Sequence, residues 1–252
     1  MEVDYSLHYR QFHDESEAHA MRMADWYCAY LGPELPADRT TAVLDIGCGF
    51  GFALRALRKL GFNKIQGIET SAQQAKVAIN AGFTVAVVND SIDHLNALKN
   101  TFGVILLLDV LEHICGTLQI EFAQRVREAL IPDGKVILTV PNANSPLAAR
   151  WRYIDFTHHC SFTEHSLAFV LGSAGFSEIR IDNSKGIGRP PVRWWKRDQR
   201  DALRKWIVRF VWSQVYAAEL PADQNLNEIS FEANLKAIAV NRNRGKRAVA
   251  EA

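Results

Sequence analysis

One segment constrains this chain more than any other: Val43-Leu44-Asp45-Ile46-Gly47-Cys48-Gly49-Phe50-Gly51, an apolar run that ends in three alternate glycines. The run over 42–46 has the length and composition of a buried strand. Alternate glycines directly after it allow a tight turn and a close approach of a ligand to the backbone. The helical spacing over 50–60, stopped by Gly61, predicts that this turn opens onto a helix N-terminus with unpaired N–H groups. A dinucleotide fingerprint would place its last glycine at position 52, where this chain has Phe52. No Lys-Ser/Thr pair follows to make a phosphate-binding loop. Taken alone, the segment is equally well a plain strand, turn and helix.

The rest of the chain repeats the alternation. Strands are expected over 64–68, 84–88, 102–108, 135–140, 178–181 and 235–240. Helices are expected over 5–31, 72–80, 117–130 and 163–172, with Pro132-Asp133-Gly134 ending the third of these. FGVILLL is the most apolar strand and should lie centrally. Alternating strands and helices imply βαβ units and a mainly parallel α/β sheet. Ligands of such sheets bind beyond the carboxyl ends of the strands, near the switch point of strand order.

The residues just after each strand therefore matter most. Glu69 ends the second strand in GIE, where a carboxylate can accept from two ribose hydroxyls, with Thr70 beside it. Asp90 and Ser91 follow the third strand in VVND, placed to meet an adenine amino group. Asp109 follows the fourth in LLLDVLEH. A single acid after a strand is usually a helix cap. Three in successive units after a glycine turn point to a shared ligand.

In order and spacing from 43 to 140, VLDIGCGFG, GIE, ND, DVLEHI and ALIPDGKVILTVPN together resemble the class I S-adenosylmethionine-dependent methyltransferases; a looser match reaches Phe176. The resemblance implies a Rossmann-like α/β fold. Its mainly parallel seven-stranded sheet ends in an antiparallel strand, which LKAIAV fits, and carries helices on both faces. It implies S-adenosyl-L-methionine as cofactor and S-adenosyl-L-homocysteine as product. Asp45, Gly47, Cys48, Gly49 and Gly51 would then shape the methionine end of the pocket. Glu69 and Thr70 would hold the ribose, Asp90 and Ser91 the adenine, and Asp109 the methionine amino group or a nearby water. The chain departs from the family pattern in having PDG where many members have PGG.

A sulfonium is already an activated methyl donor, so such an enzyme mainly aligns the reacting atoms. A hydroxyl acceptor also needs its proton removed, and histidine is the default base. WRYIDFTHHCSFTEH, beyond the fifth strand, offers His158 and His159; His113 lies after the fourth. His158 or His159 is expected to be the base ahead of His113. Each histidine is also readable as a structural residue. The set His158, His159, Cys160 and His165 matches no standard zinc spacing, so no metal is expected.

Bulk properties bound the remainder. The chain has 252 residues, 48% hydrophobic and 23% charged, which suits a folded domain rather than a disordered chain. A single methyltransferase domain is expected over 1–252. It divides into an N-terminal helical cap and linker (1–41), a cofactor-binding core (42–183), a basic and aromatic insert (184–225), and a last strand with its tail (226–252). A formal net charge of +1 gives no electrostatic case for a nucleic-acid partner. The polar N-terminus carries no readable signal peptide, no apolar run spans a bilayer, and four scattered cysteines suit free thiols in the cytoplasm. Within the insert, Arg189, Arg193, Lys196 and Arg197 could meet phosphates or a membrane surface through 189–212; packing of its tryptophans on the core is the plainer expectation. The expected reaction is O-methylation of a small-molecule or glycan hydroxyl. The rivals are N- or C-methylation of another small acceptor, a non-catalytic S-adenosylmethionine-binding protein, and an interaction scaffold that kept the fold.

Overall fold

The computed structural model describes residues 8–182, 197–221 and 225–242. Among them seven strands form one sheet: β1 (Val43–Ile46), β2 (Ile65–Glu69), β3 (Thr84–Val87), β4 (Phe102–Leu108), β5 (Leu130–Pro141), β6 (Ser177–Asp182) and β7 (Asn234–Val240). Their spatial order is β3-β2-β1-β4-β5-β7-β6. β1 to β5 pair in parallel, while β7 runs antiparallel between β5 and β6. This is the mainly parallel, Rossmann-like sheet expected from the strand and helix alternation. The chain reverses its direction of winding between β1 and β4, so the loops leaving their carboxyl ends diverge and open a crevice there.

Among the described residues the sheet is accompanied by α1 (Glu17–Leu31), α2 (Phe52–Lys59), α3 (Ala72–Asn80), α4 (Ser91–Asn96), α5 (Gln119–Ala129), α6 (Ala148–Tyr153), α7 (Glu164–Ser173) and α8 (Arg197–Glu219). The central strands β1 and β4 are apolar almost throughout, Asp45 excepted, because both faces are covered. Val43, Val104, Leu106 and Ile137 pack with Leu31 of α1 and with Ala53 and Leu57 of α2. Their neighbours Leu44, Ile105, Leu107 and Leu138 turn to the other face, against Phe122 and Val126 of α5 and Leu167 and Leu171 of α7. Each such side chain, fully removed from water, contributes about 1.5–3 kcal/mol.

Three boundaries differ from the sequence reading for identifiable reasons. The stretch expected to be one helix up to residue 31 is interrupted over 10–16, and α1 starts afresh at Glu17, where the Ser16 hydroxyl caps it by accepting from the His19 N–H. Asp90 caps α4 by accepting from the Ile92 and Asp93 N–H groups, at 2.6 and 3.3 Å. The fifth strand begins at Leu130, five residues earlier than expected. Leu130 already pairs with Phe102, and the register then shifts before Val104 meets Lys135. The Pro132-Asp133-Gly134 turn is thus a bulge within the strand, and Asp133 takes a left-handed φ of 63°. Of the insert, Arg189, Arg193 and Lys196 lie outside the described residues, as do the first seven residues and the tail from 243.

Candidate active site

A cavity of about 1230 Å³ opens at the carboxyl ends of the central strands. The glycine turn forms one wall. Gly47, Gly49 and Gly51 all have left-handed φ, at 71°, 52° and 79°. The Gly47 and Cys48 N–H groups both donate to the Ile68 carbonyl, at 2.8 and 3.1 Å, tying the turn to the end of β2. A Cβ on Gly49 would sit 3.1 Å from the Gln74 Oε1 and 3.2 Å from the Tyr9 hydroxyl. Gly51 serves packing instead: it lies outside the cavity wall, and a Cβ there would meet the Cβ of Ala78 at 2.9 Å.

Glu69 joins the two loops. Its Oε2 accepts from the Gly49 N–H and its Oε1 from the Ser71 N–H, each at 2.8 Å. Asp45 is buried beneath the turn, and burial, followed by the nearby Glu69 charge, pushes its carboxyl up to about 8. Thr70 and Ser91 line the same cavity. Asp90 does not; it is exposed, and its cap bonds occupy it.

Asp109 occupies the opposite wall with a left-handed φ of 56°, unusual for a residue with a side chain. Its partners hold it there. The N–H donates to the Thr139 carbonyl at 3.1 Å, and Oδ1 accepts from the Thr139 hydroxyl at 2.9 Å and from the Asn234 amide at 2.8 Å. The carboxyl lines the cavity, and desolvation by the surrounding residues raises its pKa against the pull of Thr139 and His158.

Beyond Asp109 lies a cluster of imidazoles and acids. Glu112 is fully buried, and neither carboxylate oxygen has a hydrogen-bond partner. Burial, then the charges of Asp109 and Asp155, raise its pKa well above the ordinary carboxylate range. The His158 Nε2 lies 4.0 Å from the Glu112 Oε1. The His158 Nδ1 lies 3.1 Å from the Trp151 carbonyl, which can only accept, so Nδ1 carries the proton and Nε2 the lone pair. Burial lowers the pKa of His158, partly offset by Asp155. The neighbouring ring of His113 meets it edge-on at 4.6 Å. The Thr157 hydroxyl donates to Asp155 at 2.7 Å, so the His113 Nδ1, 2.8 Å away, donates to Thr157. Burial, then His158, brings His113 down to about 4.

The two adjacent histidines go different ways. His158 lines the cavity; His159 is exposed, outside it, with its N–H on the Glu112 carbonyl. The set of His158, His159, Cys160 and His165 is not brought together. The described residues that do bring three potential ligand atoms within 4.8 Å of one another are Glu112, His113 and His158. Tyr9, Gln74, Glu112, Thr139 and Asn234 complete the site without having been singled out. Thr139 and Asn234 sit at strand ends facing the cavity, a placement that only the register of β5 with β7 reveals.

A family model described as a methyltransferase domain matches residues 16–180, well over half of the chain. The chain belongs to the methyltransferase domain family. It is an S-adenosylmethionine-dependent methyltransferase, and its sheet is that of the family. The methyltransferase is 28% identical over 185 residues to a ubiquinone biosynthesis O-methyltransferase of Cereibacter sphaeroides and 27% identical to one of Roseobacter denitrificans. Each alignment covers 67% of this chain and 72% of the relative. Its fold is similar to that of a SAM-dependent methyltransferase from Archaeoglobus fulgidus (TM-score 0.62, 20% identity, 86% of this chain and 94% of that one). It is also similar to Haemonchus contortus phosphoethanolamine N-methyltransferase 2, solved with S-adenosyl-L-methionine (TM-score 0.58, 19% identity, 87% of this chain and 53% of that one).

Proposed function

We propose that the methyltransferase acts on a hydroxyl of an aromatic small molecule, with His158 as the general base. The observation that carries this reading is the fixed tautomer of His158. Its Nδ1–H is engaged by the Trp151 carbonyl, so Nε2 is left as a proton acceptor on a ring that lines the cavity. An amine nucleophile would need no such acceptor if it arrived neutral.

The glycine wall fits the cofactor. The bare Cα of Gly49 leaves a cradle that a Cβ would fill, and the Glu69 carboxylate retains lone pairs beside it for ribose hydroxyls. Asp45, Gly47, Cys48, Glu69, Thr70, Ser91 and Asp109 would hold the cofactor. Asp90 and Gly51 would support the pocket from behind, through the α4 cap and the packing on Ala78. When bound, S-adenosylmethionine supplies an electrophilic methyl group on a sulfonium. The remaining wall, with Phe12, Trp26, Tyr27, Tyr30, Trp151 and Ile154, offers flat apolar surface for a ring-bearing acceptor. As the acceptor oxygen becomes a nucleophile, the His158 Nε2 takes its proton, and the nearby Asp155, with the Trp151 carbonyl on Nδ1, favours the resulting imidazolium. The bacterial relatives, named as ubiquinone biosynthesis O-methyltransferases, agree in class.

The test is a methyl-transfer screen over phenolic, quinone-precursor and sugar-nucleotide acceptors, read by mass spectrometry. Transfer to a phenolic oxygen that falls sharply in His158→Ala supports the reading. Transfer only to amines, or only to sugar hydroxyls, overturns it.

A further inference from the structure

The helix α8 presents an apolar stripe to the outside. Residues 204, 207, 208, 211 and 215 share one face by helical spacing. On that face Ile207, Val208, Val211 and Val215 are 46–57% exposed, and Phe210 at its edge is 43% exposed. The opposite face is anchored. The Trp212 Nε1 donates to the Asn144 carbonyl at 3.0 Å, Tyr216 packs edge-on against Phe231, and Arg209 pairs with Glu232. Glu232 and Asn234, at the foot of this anchor, line the active-site cavity. These contacts hold the stripe beside the cavity.

Charge surrounds it on one side. Arg200, Arg204 and Lys205 are exposed in the turns leading into the stripe. The first turns of α8 carry two acids, Asp198 and Asp201, against the four cations Arg197, Arg200, Arg204 and Lys205; the pair Asp201–Arg204, at 3.3 Å, stands in solvent and neutralises little. An anchored helix with an apolar outer stripe and flanking cations matches the requirements of an anionic bilayer surface, in which the apolar face enters the headgroup region and the cations meet phosphates. No helix among the described residues is long and apolar enough to cross a membrane, so contact would be peripheral.

We propose that α8 docks this methyltransferase on an anionic phospholipid surface, with Ile207, Val208, Val211 and Val215 entering the interface and Arg200, Arg204 and Lys205 meeting the headgroups. None of these residues belongs to the cavity, so docking is separable from cofactor binding and from the choice of acceptor.

The test uses the full chain with vesicles of equal parts phosphatidylglycerol and phosphatidylcholine, and with pure phosphatidylcholine vesicles. Co-sedimentation with the anionic vesicles alone is expected, weakening as salt rises. The double substitution V208E/V211E and the triple substitution R200E/R204E/K205E should each lower the bound fraction at least about tenfold. S-adenosylhomocysteine affinity should stay unchanged in both, which shows that the variants fold. No co-sedimentation, or co-sedimentation untouched by V208E/V211E in protein that still binds S-adenosylhomocysteine, overturns the proposal. A concentration-dependent dimer that V208E/V211E dissociates, without vesicle binding, overturns it in favour of a contact between two copies.

Discussion

Glu69 reaches across 20 residues of sequence to accept the Gly49 N–H at 2.8 Å with Oε2, while its Oε1 accepts the Ser71 N–H at 2.8 Å. One carboxylate thus holds the glycine turn and the loop after β2 in fixed relation. It does so on the wall where the cofactor is expected.

Glu69→Ala removes both acceptors together with the proposed ribose contact. Hydrogen bonds to a charged group are worth about 1.5–3 kcal/mol, so S-adenosylhomocysteine should bind roughly 10–100-fold more weakly. Calorimetric titration measures this, and circular dichroism verifies that the sheet is intact. Unchanged affinity in folded protein would remove Glu69 from the cofactor site.

Gly49→Ala separates two effects when paired with a control. Alanine there has to adopt a φ of 52° and bring its Cβ to 3.1 Å from the Gln74 Oε1. Gly82 has a φ of 79° with nothing within 4 Å of a Cβ, so Gly82→Ala carries left-handed strain alone. Both variants should lose about 1–2 kcal/mol of stability. Gly49→Ala should also lose cofactor affinity by at least about tenfold, and Gly82→Ala should keep it. Equal affinities in the two would show that the cradle at Gly49 is not used.

The buried acids set a pH dependence. In the cofactor-free fold Asp45 titrates near 8, far above an unfolded aspartate near 4. Across that window the native state binds the proton that the unfolded chain has released. Stability should therefore fall as pH rises from about 5 to 8, by at most about 1.4 kcal/mol per unit from this group. Glu112, also raised by burial, acts in the same direction. Asp45→Asn should flatten the profile, and denaturant unfolding at pH 5, 6, 7 and 8 measures it. A wild-type stability that rises over this range would contradict the burial of these acids.

The wall proposed to hold the cofactor was legible as one surface in the sequence because its residues sit at fixed offsets from strands that announce themselves. The run before Gly47 and the GIE ending at Glu69 are both strand ends, and a parallel sheet puts strand ends on one side. The wall proposed for the acceptor was less legible. Asp90, read as a cofactor-binding residue, stands exposed outside the cavity with its Oδ1 capping α4, a helix too short to show a period in the sequence. Glu112 sits in a turn whose burial depends on the packing of the segment around residue 158, about 45 positions away. Tyr9 comes from a stretch read as continuous helix, and the Ser16 cap that separates it from α1 is a single hydroxyl. Adjacent histidines could not be ranked without the backbone. The carbonyl of Trp151 distinguishes His158, and it depends on how α6 ends.

That ranking yields the last prediction. His158 lines the cavity with its Nε2 lone pair available, whereas His159 is exposed with its backbone tied to Glu112. His158→Ala should lower turnover by about 10²–10⁴, the usual range for loss of a general base. His159→Ala should leave it within a few fold, and S-adenosylhomocysteine affinity should stay near normal in both. Burial holds the pKa of His158 below its ordinary value. Wild-type kcat/KM should accordingly rise with pH through a limb below about 6.5 and reach a plateau by neutrality, since the neutral imidazole is the active form. The limb should vanish in His158→Ala, leaving slow transfer that increases with pH as the free acceptor ionises. His113, brought down to about 4, is already neutral across this range and can contribute no limb of its own. Full turnover in His158→Ala, with the limb retained, would assign the base to another group in the cluster. Glu112, which is buried beside His158 with both oxygens unpartnered, would be the first to examine.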